Sequence, residues 1–98
     1  MRPRISWLTR VDMATLEFLD GHELTDFEQS PALIAANLGV SAGHVRRRVR
    51  VLADAGLVER TNDTAGYYAI TDLGHRYLRG ELTDAEADQL QSFDPSSS

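Results

Sequence analysis

An α+β chain of three helices, a two-stranded sheet and a further helix is predicted by three observations. The stretch Pro31–Arg50, PALIAANLGVSAGHVRRRVR, has the spacing of two helices joined by a glycine turn, the second ending in arginines. Two short strand signals separated by a turn follow it. Helices with their own capping residues flank both features. The order helix, helix, helix, strand, strand, helix describes a winged helix-turn-helix, with a three-helix core, a two-stranded β wing and a C-terminal helix.

The first helix starts at Thr9, which with Asp12 makes a capping box using Asp in place of Glu. It runs through Leu19 and stops near Gly21. Its apolar residues include Val11, Leu16, Phe18 and Leu19, and Trp7 and Leu8 pack just before the cap. A polar link, Gly21–Gln29, tucks Leu24 and Phe27 under the domain. Ser30 caps the second helix, and Pro31 suits a first turn, where a backbone N–H has no partner to lose. Ala35 is small where another helix crosses, Leu38 closes the apolar stripe, and Gly39 supplies a left-handed residue.

Ser41 caps a third helix over residues 42–55, which ends at Ala55-Gly56 with Gly56 left-handed. On it Val45, Val49 and Leu52 recur at four- and three-residue steps and face inward. Leu57–Thr61 and Tyr67–Ile70 read as strands around a turn at Asn62–Gly66. Adjacent strand residues point to opposite faces, so one of Tyr67 and Tyr68 fills the core and the other is exposed. Thr71 caps a helix at Asp72–Arg79 with Leu73, Tyr77 and Leu78 inward, and Gly80 ends it. Thr83 to Glu86 is a second capping box. The expected organisation is a winged-helix domain at 1–82, a short acidic helix at 83–91 and a disordered tail at 92–98.

Ninety-eight residues with 42% apolar composition suffice for one small core. There is no cysteine, which excludes disulfides, thiol catalysis and zinc fingers. No apolar run approaches a membrane span, and the start, MRPRISWLTR, lacks a signal-peptide core, so a cytoplasmic protein is expected. His22, His44 and His75 lie in different elements without ligand spacing, so no metal is expected. No nucleophile–base pair, paired catalytic carboxylates or phosphate-cradling glycine loop is visible, and neither an enzyme nor a cofactor is expected.

The net charge is −5, from 15 acidic and 10 basic residues, and every basic residue is arginine. Residues 41–60 hold five arginines against Asp54 and Glu59, about +3, so the remainder carries about −8. Two compatible causes account for the missing lysine. One is arginine-favouring codons in a GC-rich genome, and the other is a cytoplasm at multimolar salt. In the second case a tenfold rise in salt costs roughly four to five orders of magnitude in affinity for five phosphate contacts. Base contacts, shape and apolar fit must then carry more of any DNA binding.

Opposite the apolar stripe of the third helix, at about 100° per residue, lie Gly43, Arg46, Arg47 and Arg50. A short helix with a small, cationic outer face is what a DNA major groove accepts. The expected DNA-contacting set is Ser41, Ala42, Gly43, His44, Arg46, Arg47 and Arg50, with Arg60, Asn62 and Thr64 from the wing. The wing tip has no basic residue, and Asp63 there repels phosphate, which makes Arg60 the better backbone contact. The competing class is a winged helix used as a protein-contact adaptor in a transcription complex, for which net acidity and the lack of a basic residue at the tip speak.

Three blocks also resemble a known family: W-L-T-x-x-D with L-E-F-L (Trp7–Leu19), D-A-G-L-V-E-R (Asp54–Arg60) and G-Y-Y-x-I-T-D-x-G-x-x-Y-L-x-G-E-L (Gly66–Leu82). Through them Trp7–Leu82 resembles the phage PhiH repressor-like winged-helix proteins of halophilic archaea, relatives of the MarR- and PadR-type regulators. The resemblance implies a transcriptional regulator, commonly a repressor, acting as a homodimer on double-stranded DNA. In related regulators terminal helices pair the subunits, which makes Ile5–Leu8, Leu82, Leu90 and Phe93 the candidates here. Arg48 departs from the pattern. It stands about 60° from the core direction, where the recognition helix usually carries an apolar or small residue, and is expected to neutralise an acid at the domain edge.

Overall fold

Every helix of the described chain begins on a hydroxyl. In the computed structural model, which describes residues 2–21, 30–62 and 67–97, the elements are α1 (Arg10–Asp20), α2 (Pro31–Leu38), α3 (Ala42–Asp54), β1 (Val58–Asn62), β2 (Tyr67–Ile70), α4 (Asp72–Arg79) and α5 (Asp84–Ser92). Thr9, Ser30, Ser41, Thr71 and Thr83 each accept the backbone N–H three residues on, filling one donor site that a helix start leaves open. Both expected capping boxes form, with Asp12 and Glu86 reaching back to the N–H of Thr9 and Thr83. The architecture is the expected α+β winged helix-turn-helix.

The core joins all the helices. Leu16 and Leu19 of α1, Ile34 and Ala35 of α2, and Val45, Val49 and Leu52 of α3 are buried together with Leu57, Val58, Tyr68, Tyr77 and Leu78. Val11 and Phe18, expected as part of this stripe, are only partly buried beside it. Between α2 and α3 the chain reverses through Gly39 at φ 71°, and Val40 N–H reaches the Ala35 carbonyl at 3.1 Å. The small Ala35 sits at 3% exposure in this corner, where a larger side chain would hold the helices apart.

The sheet is one antiparallel pair, with Val58 opposite Ile70, Glu59 opposite Ala69 and Arg60 opposite Tyr68. β1 starts one residue later than the strand signal suggests, because Leu57 is a junction. Its N–H closes the end of α3 on the Leu52 carbonyl, and its own carbonyl accepts from Thr71 at the start of α4. The register shifts between Arg60 and Asn62, leaving Thr61 as an extra residue. Tyr68 is 6% exposed and Tyr67 38%, the alternation expected of neighbouring strand residues. Leu24, Phe27, His22, Asp63 and Thr64 lie outside the described residues.

The two ends of the chain are strapped together. Trp7 donates its indole N–H to the Leu90 carbonyl at 2.7 Å, and its ring meets Phe93 at 5.2 Å between centroids. Ser6 N–H bonds Gln91 at 3.0 Å. Ile5 and Leu90 are buried in the chain's own core, so they are not available as the subunit contacts expected from the sequence. The expected tail from residue 92 contains the end of α5, the Phe93 contact and a 3-10 turn at Pro95–Ser97.

Arg76 holds α5 against α4 through a two-bond contact with Glu86, at 2.6 and 2.8 Å, and also bonds Asp72 at 2.8 Å. The Arg76 guanidinium first, and the Thr83 N–H second, lower the Glu86 carboxyl from the ordinary glutamate range to about 2. A depressed carboxyl stabilises the fold above its unfolded pKa and loses that contribution as pH falls through the folded value. The Glu86 side-chain carbon resonance is therefore expected to titrate with a midpoint near 2. A midpoint in the ordinary range would mean that the bridge is not formed in solution.

Gly74 supplies the sharper packing prediction. A Cβ there would stand 2.6 Å from Ile70 Cγ1 and closer still to the Leu57 carbonyl oxygen, a backbone atom with little room to yield. Alanine normally favours a helix interior by about 1 kcal/mol over glycine. Here Gly74→Ala is expected to lower stability in urea unfolding by about 1–3 kcal/mol through overpacking. Unchanged or raised stability would show that α4 can lift off the sheet without cost.

Candidate nucleic-acid interface

The rotation of α3 decides which of its arginines meet solvent. Val45, Val49 and Leu52 are fully buried, and the opposite side presents Arg46, Arg47 and Arg50, all exposed. At the helix start, Ser41 is exposed but spends its hydroxyl on the His44 N–H, at 3.1 Å. Ala42, Gly43 and His44 are half-buried. The Arg47 guanidinium lies over Gly43, where an added Cβ would stand 3.8 Å from its Nη1. The small residue thus leaves a shallow surface that one arginine partly covers. The three arginines form a cationic edge along one helix, the arrangement that guanine edges and phosphates recognise.

Arg60 projects from the inner side of the wing beside Tyr68, its cross-strand partner, and shares a cleft with Arg46 and Arg50. Seven of the ten expected contact residues therefore sit on α3 or its cap, and Arg60 faces them from β1. Asn62 ends β1, and Thr64 lies outside the described residues. Of the histidines, His44 flanks the arginine edge, and His75 is bonded through Nδ1 to Asp20. Among the described residues no group of acids and histidines could hold a metal ion. None of the described helices is long and apolar enough to cross a membrane.

Arg48 behaves differently from its neighbours. Its Nε and Nη2 donate to the two carboxylate oxygens of Asp12 at 2.9 and 2.6 Å. Asp12 is fully buried, while 19% of the Arg48 side chain remains exposed. The Asp12 hydrogen bonds raise the Arg48 pKa above its ordinary value against the opposing cost of burial. Arg48 thus neutralises an acid, as its odd position on the helix suggests. The partner could not be named in advance, because the capping box already accounts for Asp12. A carboxylate has two oxygens, and the second is what the sequence leaves unassigned.

Residues 1–90 match the family model of the winged helix-turn-helix phage repressor. The chain is also 40% identical over 85 residues to the repressor protein of Halobacterium phage phiH, with 85% of this chain and 92% of that relative covered. No solved structure matches.

The contrast between paired and exposed arginines is measurable. Arg48→Ala strands a buried carboxylate and is expected to cost about 3–5 kcal/mol in urea unfolding. Arg47→Ala, on the exposed edge, is expected to stay within about 0.5 kcal/mol of the wild type. Equal effects for the two would place Asp12 in contact with water and remove the distinction.

Proposed function

The chain belongs to the winged helix-turn-helix phage repressor family, and from that premise we propose a repressor that reads double-stranded DNA by laying α3 in the major groove. One observation carries the reading: the exposed edge Arg46–Arg47–Arg50 stands opposite a fully buried stripe on the same short helix. A guanidinium offers two parallel donors to guanine O6 and N7, and each such pair discriminates by about 1–3 kcal/mol. Arg47, beside the open surface at Gly43, is the proposed base reader. Ser41, Ala42, Gly43 and His44 are the proposed contacts at the helix start, with Arg60, Asn62 and Thr64 following the backbone on the wing side. Residues 1–82 form the DNA-reading unit of a cytoplasmic regulator without catalytic activity.

On this reading the protein acts as a homodimer, whose two α3 helices enter successive major grooves about 34–36 Å apart. Occupying a promoter in that way blocks transcription. The lysine-free, acid-rich composition supports operation in concentrated salt. The adaptor reading leaves the arginine edge of α3 without a use.

Selection of duplexes from a random pool in multimolar KCl tests this function. The wild type is expected to enrich a palindromic site, and the Arg46/Arg47/Arg50→Ala variant, still folded by circular dichroism, to enrich none. A single enriched half-site would keep DNA reading and remove the dimer. Failure of the wild type to enrich any sequence would overturn the proposed function.

A further inference from the structure

Arg48 grips an anchor that is fixed without its help. Asp12 is the third residue of α1, where the start of a helix favours a carboxylate, and its Oδ2 accepts the Thr9 N–H at 2.9 Å. Arg48 Nε donates to Oδ1 at 2.9 Å and Nη2 to Oδ2 at 2.6 Å, so guanidinium and carboxylate meet fork to fork. Asp12 is fully buried, and water does not compete for it.

The place of Arg48 on α3 gives this fork leverage. Contacts along the centre of a buried stripe keep a helix from lifting away, but they resist its rolling poorly. Val45, Val49 and Leu52 lie within one sector of about 60°, and Arg48 stands about 60° from its centre, on the side of α1. A roll swings an off-centre group along its arc and breaks both bonds of a directional pair. At the helix outer radius of about 5–6 Å, a roll of about 10° carries a side chain through about 1 Å. Binding groups must be held to within about 0.5 Å to act. Arg47 is the preceding residue, about 100° around the helix, so an angle fixed at Arg48 is fixed at Arg47 as well.

We propose that the Arg48–Asp12 fork is a positioning pair for recognition, fixing the roll of α3 at which Arg47 meets the bases. The assignment rests on the DNA-reading function above and adds to it two residues outside the contact set. It separates discrimination from attraction. Phosphate attraction acts over distance and tolerates a change of angle, whereas paired bonds to a base edge do not. The pair therefore governs how well the protein tells one duplex from another, and leaves its general attraction to DNA alone.

Two changes that conserve net charge separate orientation from charge. Arg48→Lys keeps a cation opposite Asp12 and leaves the α1 cap intact, but has no fork. Asp12→Val/Arg48→Met removes both charges together and refills the space with apolar atoms. Each is compared with the wild type on the duplex that the wild type selects, on that duplex with single base pairs exchanged, and on an unrelated duplex of equal length. KCl is kept low enough for all three affinities to be measured. Both variants are expected to bind the selected duplex about tenfold more weakly, with flattened preference among the exchanged base pairs. Their affinity for the unrelated duplex is expected to stay unchanged. A purely structural role would lower the folded fraction and weaken both affinities by one factor. That result, or an unchanged ratio of the two affinities, would overturn the proposal. Poor folding of the double variant leaves Arg48→Lys decisive.

The roll is also read on the free protein. Methyl relaxation dispersion at Val45 and Val49 is expected to be flat in the wild type and to show exchange on the μs–ms scale in both variants. Flat profiles in all three would overturn the fork as the restraint on roll, whatever the duplexes do. A wild type without preference between duplexes would instead remove the DNA-reading function, and the recognition role of the pair with it.

Discussion

The Asp12 carboxylate is the hinge pin of the domain. One of its oxygens accepts the Thr9 N–H that closes the cap of α1, and the two together receive the fork of Arg48 from α3. Apolar packing alone would leave the roll of α3 loosely defined, because Val45, Val49 and Leu52 are smooth side chains that tolerate small rotations. A bidentate fork is directional and does not. Arg48 therefore sets the angle at which the helix presents Arg46, Arg47 and Arg50. The pair also ties the start of α1, next to the strapped chain ends, to the helix proposed to meet DNA. A buried charge pair is seldom a net gain in stability over apolar packing, and fixing orientation is the use that best repays its desolvation.

Arginine serves two separate purposes in this chain. Arg2, Arg48 and Arg76 are each set against carboxylates and hold elements together. Arg46, Arg47 and Arg50 stand on one exposed helix edge instead. Charged pairs at short range and partly out of water lose little to screening, whereas exposed charges beyond about 3 Å are largely screened at 1 M salt. Contacts that must work in concentrated salt are therefore best made at contact distance by planar, multidentate groups. Arginine meets that condition better than lysine, whose compact ammonium is strongly hydrated.

Most of the fold was legible because its boundaries are written in local chemistry. Each helix starts at a hydroxyl residue, and Gly39, Gly56 and Gly80 take the left-handed conformations expected where helices stop. The shift of the β1 start could not be read locally. Leu57 has strand character, yet its backbone bonds are committed to α3 and α4, which only the tertiary arrangement decides. The same holds for the chain ends. Trp7, Leu90 and Phe93 look like an exposed apolar supply for a partner, but they satisfy one another across more than eighty residues of sequence. In the candidate site, helical periodicity sufficed to group Arg46, Arg47 and Arg50. Placing Arg60 opposite them required the register of the wing, which depends on its pairing with Tyr68.

Net acidity is not an obstacle to a DNA reader built this way; it contributes to selectivity. A duplex approaching any surface dominated by the remaining charge of about −8 is repelled, while the segment of about +3 around α3 attracts it. Non-specific binding draws on phosphate attraction alone, so an acidic body weakens it in every orientation except one. Specific binding adds base contacts that form only in that orientation, and these are much less sensitive to salt. The ratio of specific to non-specific affinity, rather than either affinity alone, decides occupancy among many competing sites. By gathering Arg46, Arg47 and Arg50 on one helix edge, and setting Arg2, Arg48 and Arg76 against carboxylates, the chain lowers the denominator of that ratio.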